Sequence, residues 1–331
     1  MNTVRNLLRF FLFSSIACMV LLVLQRSPCP CCDVVPAHEE LTLGTNGTRA
    51  VDPSLKKLGM AEGKLPEVLR RAAMEDKTII MTFTNEAFAA PGSLMDLFLE
   101  SFRTGVRTEP LLKHLVIVAA DAKAFERCQK VHPLCYALPV DGANFTSEQL
   151  FMARDYLDMM WRRNRFQAQV LELGYSFVFT DVDIVWFRNP LLRIPVGVDF
   201  AMSCDMYHGD NPYDLNKRAN GGFVYAKASA RTVAFYAGWY EARKAYPGKN
   251  EQDLFDKLKR ELSARHDVAA QFVDTAYLGG FCERGKRRDF HKLCTFHANC
   301  LVGLKTKLEK LRSVLDEWKQ FKAGNGTALT D

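Results

Sequence analysis

The sequence predicts an α/β domain built on a mostly parallel, mixed sheet flanked by helices. Three observations predict it. Apolar runs such as TIIMTFT at Thr78–Thr84 and LVIVAA at Leu115–Ala120 have the β-branched, unalternating character of strands buried on both faces. Helical periodicities alternate with those runs through the first half of the domain, as crossover connections between parallel strands require. The chain has 331 residues and is 48% apolar and 25% charged, enough for one large core.

Element by element, the chain begins outside that domain. Residues 1–6 read as a cytoplasmic tail. Leu7–Leu24 (LLRFFLFSSIACMVLLVL) is a transmembrane signal anchor, free of charge from Phe10 onward. Arg5 and Arg9 on its amino-terminal side favour a single-pass type II orientation. Gln25, Arg26, Ser27 and Pro28 offer no small-residue cleavage site, which disfavours a removed signal peptide. Residues 25–62 form a lumenal stem with Pro28, Pro30 and Pro36 and no periodicity. Cys29, Cys31 and Cys32 follow the anchor and offer a cross-link between two chains or a lipid attachment, beside the plainer reading of an unstructured juxtamembrane segment, and a homodimer or enzyme complex is the candidate assembly. Sequons at Asn46, Asn144 and Asn325, and ten cysteines, suit an oxidising lumen.

The folded domain spans 63–322. Leu65–Met74 reads as a helix, Thr78–Thr84 as a strand and Gly92–Arg103 as a helix. Leu115–Ala120 and Ala122–Val131 follow as strand and helix. Tyr156–Leu173 is a long amphipathic helix closed by Gly174, and Phe177–Thr180 a buried strand. In the second half, Phe200–Cys204 and Gly222–Ala226 read as strands, and Thr232–Tyr246 and Asn250–Leu262 as helices. Leu304, Leu308, Leu311, Leu315 and Trp318 mark one face of a last helix over 304–321, before a tail at 323–331 read as disordered.

The chemistry concentrates at the third strand. Phe177-Val-Phe-Thr runs directly into Asp181-Val-Asp183. Two acids at the carboxyl end of a buried strand cost desolvation unless a cation or solvent meets them. Residues two apart on an extended chain face the same way, so both can address one hard cation through oxygen. Ligands in such sheets bind at the carboxyl ends of the strands. The net charge of +6 is mild and dispersed. It suits an anionic small ligand and argues against nucleic acid.

The stretch GYSFVFTDVDIVWFRNP at 174–190 resembles the signature of the plant nucleotide-diphospho-sugar transferases of glycosyltransferase family 77. Four blocks follow in that family's order: Asn220-Gly221-Gly222-Phe223, Glu251-Gln252-Asp253, DTAYLGGFC at 274–282, and His297-Ala298-Asn299-Cys300 with Gly303 and Lys305. The upstream helix FMARDYLDMMWRRNRF also fits, and the resemblance covers roughly 65–320. It implies a GT-A fold and retaining transfer from a UDP-sugar donor with Mn²⁺ or Mg²⁺. Xylose, arabinose and galactose are the candidate sugars, and a cell-wall polysaccharide or glycoprotein is the acceptor. It also implies residence in the Golgi membrane with the catalytic domain lumenal. Carried over by residue, Asp181, Asp183 and His297 are the metal ligands. Asn85, Asp181, Gly221, Gly222 and Lys305 meet the donor, Lys305 through its phosphates. Gln252 and Asp253, with Asp181, lie at the reacting sugar carbon, and Arg162 or Arg163 reaches the donor.

Three other readings compete. His291, Cys294, His297 and Cys300 recur at every third residue and suggest zinc, but structural zinc sites pair two separated knuckles. In a lumen those cysteines form disulfides instead, with Cys282, Cys204 or one another. VFTDVDIV also resembles the first motif of haloacid-dehalogenase-like phosphatases, with Asp210 and Asp214 mimicking a later acidic motif at the wrong spacing. The third is a catalytically silent glycan-binding or assembly subunit.

Overall fold

Residues 65–139, 154–283 and 285–324 are described by a computed structural model of the chain. The anchor, the stem, most of the tail and all three sequons lie outside the described residues. No helix among the described residues is long and apolar enough to cross a membrane.

Helix α1 (Leu65–Ala72) buries Leu65, Leu69 and Ala72, a spacing of four and three that defines one face. Strand β1 (Thr78–Thr84) follows. Its Ile79 and Met81 point into one core and Ile80 into the other, which is why the run is apolar without alternation. A short α2 (Glu86–Ala89) and α3 (Leu94–Thr104) come next. The single helix expected over 92–103 is thus preceded by an extra turn, capped by the side chain of Asn85. Strand β2 (Leu115–Ala119), α4 (Ala122–Val131) and β3 (Cys135–Ala137) continue the alternation, and a disulfide joins Cys128 to Cys135. Helix α5 (Arg154–Glu172) leads through Gly174, at φ 81°, into β4 (Ser176–Thr180).

The second half begins with β5 (Ile184–Trp186), β6 (Phe200–Cys204) and β7 (Ala219–Ala226). Helix α6 (Ala230–Ala242) starts at a capping box of Ser229 and Thr232, earlier than periodicity implied, and its last turn tightens to a 3₁₀ helix at Arg243–Ala245. Helix α7 (Glu251–His266), β8 (Ala270–Phe272), β9 (Leu278–Gly280), β10 (Thr295–His297) and α8 (Leu304–Gly324) complete the order.

Seven strands form one sheet in the order β3-β2-β1-β4-β7-β6-β8. The pairings from β3 to β4 and between β6 and β8 are parallel, and β7 runs antiparallel between β4 and β6. A small second sheet, β5-β10-β9, lies at the carboxyl end of β4. One core packs α3, α4 and α8 with the small sheet. The other packs α1, α5, α6 and α7. The layers match the expected architecture.

The zinc reading fails on covalent grounds. Cys300 is disulfide-bonded to Cys282, Cys294 is free and buried, and His291 is exposed against Phe321. The phosphatase-like acids Asp210 and Asp214 lie in the loop between β6 and β7, with Asp210 exposed, and neither belongs to the group of ligand atoms gathered at Asp181.

Candidate active site

Asp181 is the first residue beyond β4. Its N–H donates to the Gly222 carbonyl at 2.7 Å, and its own carbonyl accepts from Ile184 N–H at 3.2 Å. Asp-Val-Asp is therefore a tight turn that carries the chain from the large sheet to the small one, not an extended run. Val182 is buried under it. The turn still sets both carboxylates on one side. His297 ends β10, whose antiparallel register pairs it with Ile184 of β5, next to Asp183. Ala298 N–H donates to the Asp183 carbonyl at 3.0 Å and locks that register. His297 Nε2 stands 3.2 Å from Asp183 Oδ1 and 3.7 Å from Asp181 Oδ2. One ligand atom from each of the three residues lies within 4.8 Å of the others.

Two basic side chains complete the cluster. Lys307 Nζ on α8 lies 2.8 Å from Asp183 Oδ2. Arg163 on α5 donates through Nη1 to Asp181 Oδ1 at 2.8 Å and through Nη2 to Glu251 Oε1 at 2.5 Å. Its guanidinium lies 4.6 Å above the Phe179 ring, and the residue is 8% exposed. The acids respond in opposite directions. Burial acts to raise Asp183, but Lys307 and His297 outweigh it and hold the carboxyl well below the usual range. Burial dominates at Asp181 and lifts it, with the Asp183 charge adding and Arg163, His297 and Lys307 opposing.

Each of the other residues singled out by sequence has a definite place. Gly221 N–H donates to Gln252 Oε1 at 2.7 Å, so the glycine strand and the start of α7 meet beside Asp181. A Cβ on Gly222 would stand 2.3 Å from His297 Cε1, so this glycine makes room for the imidazole. Asp253 N–H is capped by Asn250 at 2.7 Å, and its half-exposed carboxylate makes no hydrogen bond among the described residues. Asn85, the expected nucleotide contact, is buried at the end of β1 with Oδ1 bound to Phe88 N–H at 3.0 Å, which caps α2. Lys305 does not join the cluster: its side chain is 89% exposed and its ion pair is with Glu309 at 4.0 Å. Lys307 reaches the acid pair instead, because two residues along a helix turn the side chain through roughly 200°.

Sequence reasoning missed Lys307 and Glu251 and left Arg162 and Arg163 unresolved. Signals existed for two of these. Lys307 falls on the apolar stripe of Leu304, Leu308 and Leu311, an anomalous place for a lysine. Arg163 shares a stripe with the buried Met160, Gln167 and Val170, whereas Arg162 pairs with Asp158 one turn away. For Glu251, buried at 5%, nothing distinguished it from an acid in a helix's first turn.

A family model described as nucleotide-diphospho-sugar transferase matches residues 110–311. The chain belongs to this family, of the glycosyltransferase-77 type. An uncharacterised Arabidopsis thaliana protein is 44% identical over 78% of the transferase chain and 68% of its own length. Beta-arabinofuranosyltransferase RAY1 of the same plant is 35% identical over 45% of the transferase chain and 32% of its own. UDP-D-xylose:L-fucose alpha-1,3-D-xylosyltransferase MGP4, also from Arabidopsis thaliana, is 19% identical over 78% and 76%. The transferase is a nucleotide-sugar glycosyltransferase with a GT-A-like mixed sheet, and the family implies a UDP-sugar donor.

The family resemblance also implies a divalent ion, and the residues fit one. Two carboxylates and an imidazole converge from two elements that share a strand register. Oxygen with a single nitrogen suits Mn²⁺ or Mg²⁺ better than a thiolate metal. Lys307 holds the other oxygen of Asp183, leaving Oδ1 facing His297.

Proposed function

We propose that this transferase moves xylose, arabinose or galactose from a UDP-sugar to a cell-wall polysaccharide or glycoprotein, with retention at the anomeric carbon and with metal dependence. The observation that carries the reading is the convergence of Asp181, Asp183 and His297 within 4.8 Å at the strand tip. The arabinofuranosyl- and xylosyltransferase names of its relatives support arabinose and xylose, and galactose rests on the family resemblance alone.

Asp181, Asp183 and His297 would hold the ion. When bound, it supplies charge neutralisation for the departing diphosphate. The protein does the rest. Arg163 fixes the rotamer of Asp181, and Glu251 fixes Arg163. Lys307, already at Asp183, turns its ammonium to the phosphate oxygens as a point charge. Gly221, which lacks a side chain beside the Gln252 amide, leaves backbone open to the donor sugar. Gln252 and Asp253 flank the reacting carbon from the first turn of α7.

The test is a panel of UDP-xylose, UDP-arabinose and UDP-galactose. UDP release is read with manganese and with chelator, and any product is analysed for linkage and anomeric configuration. Asp183→Ala is expected to lower release at least about 100-fold with the circular dichroism spectrum unchanged, the scale of losing one preorganised electrostatic group. Full activity in that variant sinks the assignment. A catalytically silent subunit would release no UDP in any arm.

We also infer a Golgi-membrane, type II placement with the domain in the lumen. The anchor-like Leu7–Leu24 run, its arginine flank and the two disulfides support this. Digestion of intact microsomes decides it, because a lumenal domain survives protease until detergent is added.

A further inference from the structure

We propose that Asp205, clamped between Asn220 and Asn299, binds a hydroxyl of the acceptor glycan immediately beside the donor site. This rests on the transferase reading above and deepens it.

Asp205 stands at the tip of β6 as Asp181 stands at the tip of β4, each the first residue beyond its strand. Between them β7 runs antiparallel, presenting Asn220, Gly221 and Gly222. Asp205 is thus the acidic residue on the far side of the glycine strand from the acid pair. Its side chain is only 14% exposed. Oδ1 accepts from Asn220 Nδ2 at 2.7 Å and from Asn299 Nδ2 at 3.1 Å. Among the described residues Oδ2 meets only Arg218 Nε at 3.8 Å, beyond hydrogen-bond distance, on an arginine 67% exposed. One half of a desolvated carboxylate is therefore saturated, and the other half has no close donor among the described residues. Carboxamides orient a carboxylate without neutralising it, so a further donor there is worth a charge-assisted hydrogen bond.

The clamp is rigidly tied to the donor site. Asn220 Oδ1 accepts from Gly222 N–H at 3.0 Å, and Gly222 abuts His297. Asn299 Oδ1 accepts from Cys282 N–H at 3.3 Å, which assigns the amide orientation and points Nδ2 at Asp205. A Cβ on Gly280 would lie 2.2 Å from Asn299 Oδ1, so the strand is shaped to seat that side chain. A water-sized cavity lined by Ser203, Asn220, His297 and Asn299 touches residues of both the clamp and the donor site.

The chemistry of the clamp selects its ligand. The two sulfurs within reach of Asp205, Cys282 and Cys300, are bonded to each other and offer no thiolate to a metal. A sugar hydroxyl is a neutral donor suited to that oxygen. Met206, 44% exposed, follows Asp205 directly, and Val302, 87% exposed, lies three residues beyond Asn299; both offer apolar surface to the C–H face of a pyranose or furanose ring.

The experiment separates this inference from the reading beneath it. Hydrolysis of the UDP-sugar panel without acceptor reports the donor site alone. Saturation-transfer NMR with methyl α-L-fucoside, methyl α-L-arabinofuranoside and methyl β-D-galactoside reports the acceptor site. Asp205→Asn is expected to weaken contact with the best of these glycosides roughly 10–100-fold, the scale of a hydrogen bond to a charged group, with donor hydrolysis unchanged. Met206→Arg, a surface change on the rim, is expected to weaken the same contact, and it decides the matter alone if Asp205→Asn does not fold. Absence of donor hydrolysis in the wild-type protein overturns the transferase reading. Hydrolysis without any glycoside contact, or with contact unchanged in the variants, overturns the acceptor site. Loss of hydrolysis in a folded Asp205→Asn shows a structural role and overturns it too.

Discussion

A Cβ on Gly222 would stand 2.3 Å from Cε1 and 2.7 Å from Nδ1 of His297, and 3.0 Å from Asn220 Oδ1. None of these neighbours is free to retreat. The imidazole is fixed by the register of β10, and Asn220 is bound to Asp205 at 2.7 Å. At Gly221, one residue earlier, the nearest atom to the same addition is 3.5 Å away, an ordinary contact. The two glycines therefore predict different outcomes. Gly222→Ala is expected to push His297 off Asp183 and raise the manganese concentration needed for half-maximal UDP release roughly 10–100-fold, as loss of ligand support does elsewhere. Gly221→Ala is expected to leave that concentration within about threefold, since nothing bearing on the imidazole shifts. A metal titration of the two variants side by side checks this, and equal behaviour would remove the steric argument. Arg163 belongs to the same scale. It is buried against Phe179 with a carboxylate at each end, Asp181 and Glu251, and Glu251 Oε2 has no hydrogen-bond partner among the described residues. A buried charge with two anionic partners is held in one rotamer, and the acid it holds, Asp181, stands 3.7 Å from His297 through its other oxygen.

At the scale of elements, the parts legible in the sequence were those long enough to show a period. TIIMTFT, LVIVAA and the stripes of α5 and α8 were placed within a few residues because burial on a fixed face repeats several times along each. Strands β5, β9 and β10 have three residues each, too few for any period to register. Yet β10 delivers His297. That residue was reachable only through its resemblance to a family block, and the acid pair only through its position after a buried strand. The covalent frame around β10 explains how so short a strand holds its place. The Cys282–Cys300 disulfide spans 18 residues of chain and encloses β10 with His297. Closing a loop of that length limits the unfolded chain by about 3 kcal/mol. For a domain of this size that corresponds to roughly 6–12 °C in Tm. The double replacement Cys282→Ser with Cys300→Ser is therefore expected to lower Tm by about that amount and to weaken metal binding at His297. Differential scanning fluorimetry with and without manganese reads both effects. An unchanged Tm would mean that hydrogen bonds alone, such as Ala298 to Asp183, hold the strand.

Over the whole molecule, the site is assembled from pieces remote in sequence: Arg163 of α5, the acid turn at 181–183, the glycine strand at 221–222, Glu251 of α7, His297 and Lys307. The helices that bring them together pack on opposite faces of the sheet. Helix α8, which carries Lys307, buries Leu311, Val314, Leu315 and Trp318 in one core, while α5 and α7 belong to the other. Neither half of the chain can form the site alone, so the site exists only when both cores are intact. A ligand that spans Asp181, Asp183, His297 and Lys307 must then stabilise the global fold, not a local segment. UDP with manganese at about 100 times its Kd is expected to add about 2.7 kcal/mol. That amounts to roughly 5–11 °C in Tm for a domain of this size. Asp183→Ala should abolish the shift. Lys307→Ala should reduce it while leaving any shift from manganese alone, because Lys307 holds the Asp183 oxygen opposite the one that faces His297. A UDP shift that survives in Asp183→Ala would place the nucleotide somewhere other than the strand tip.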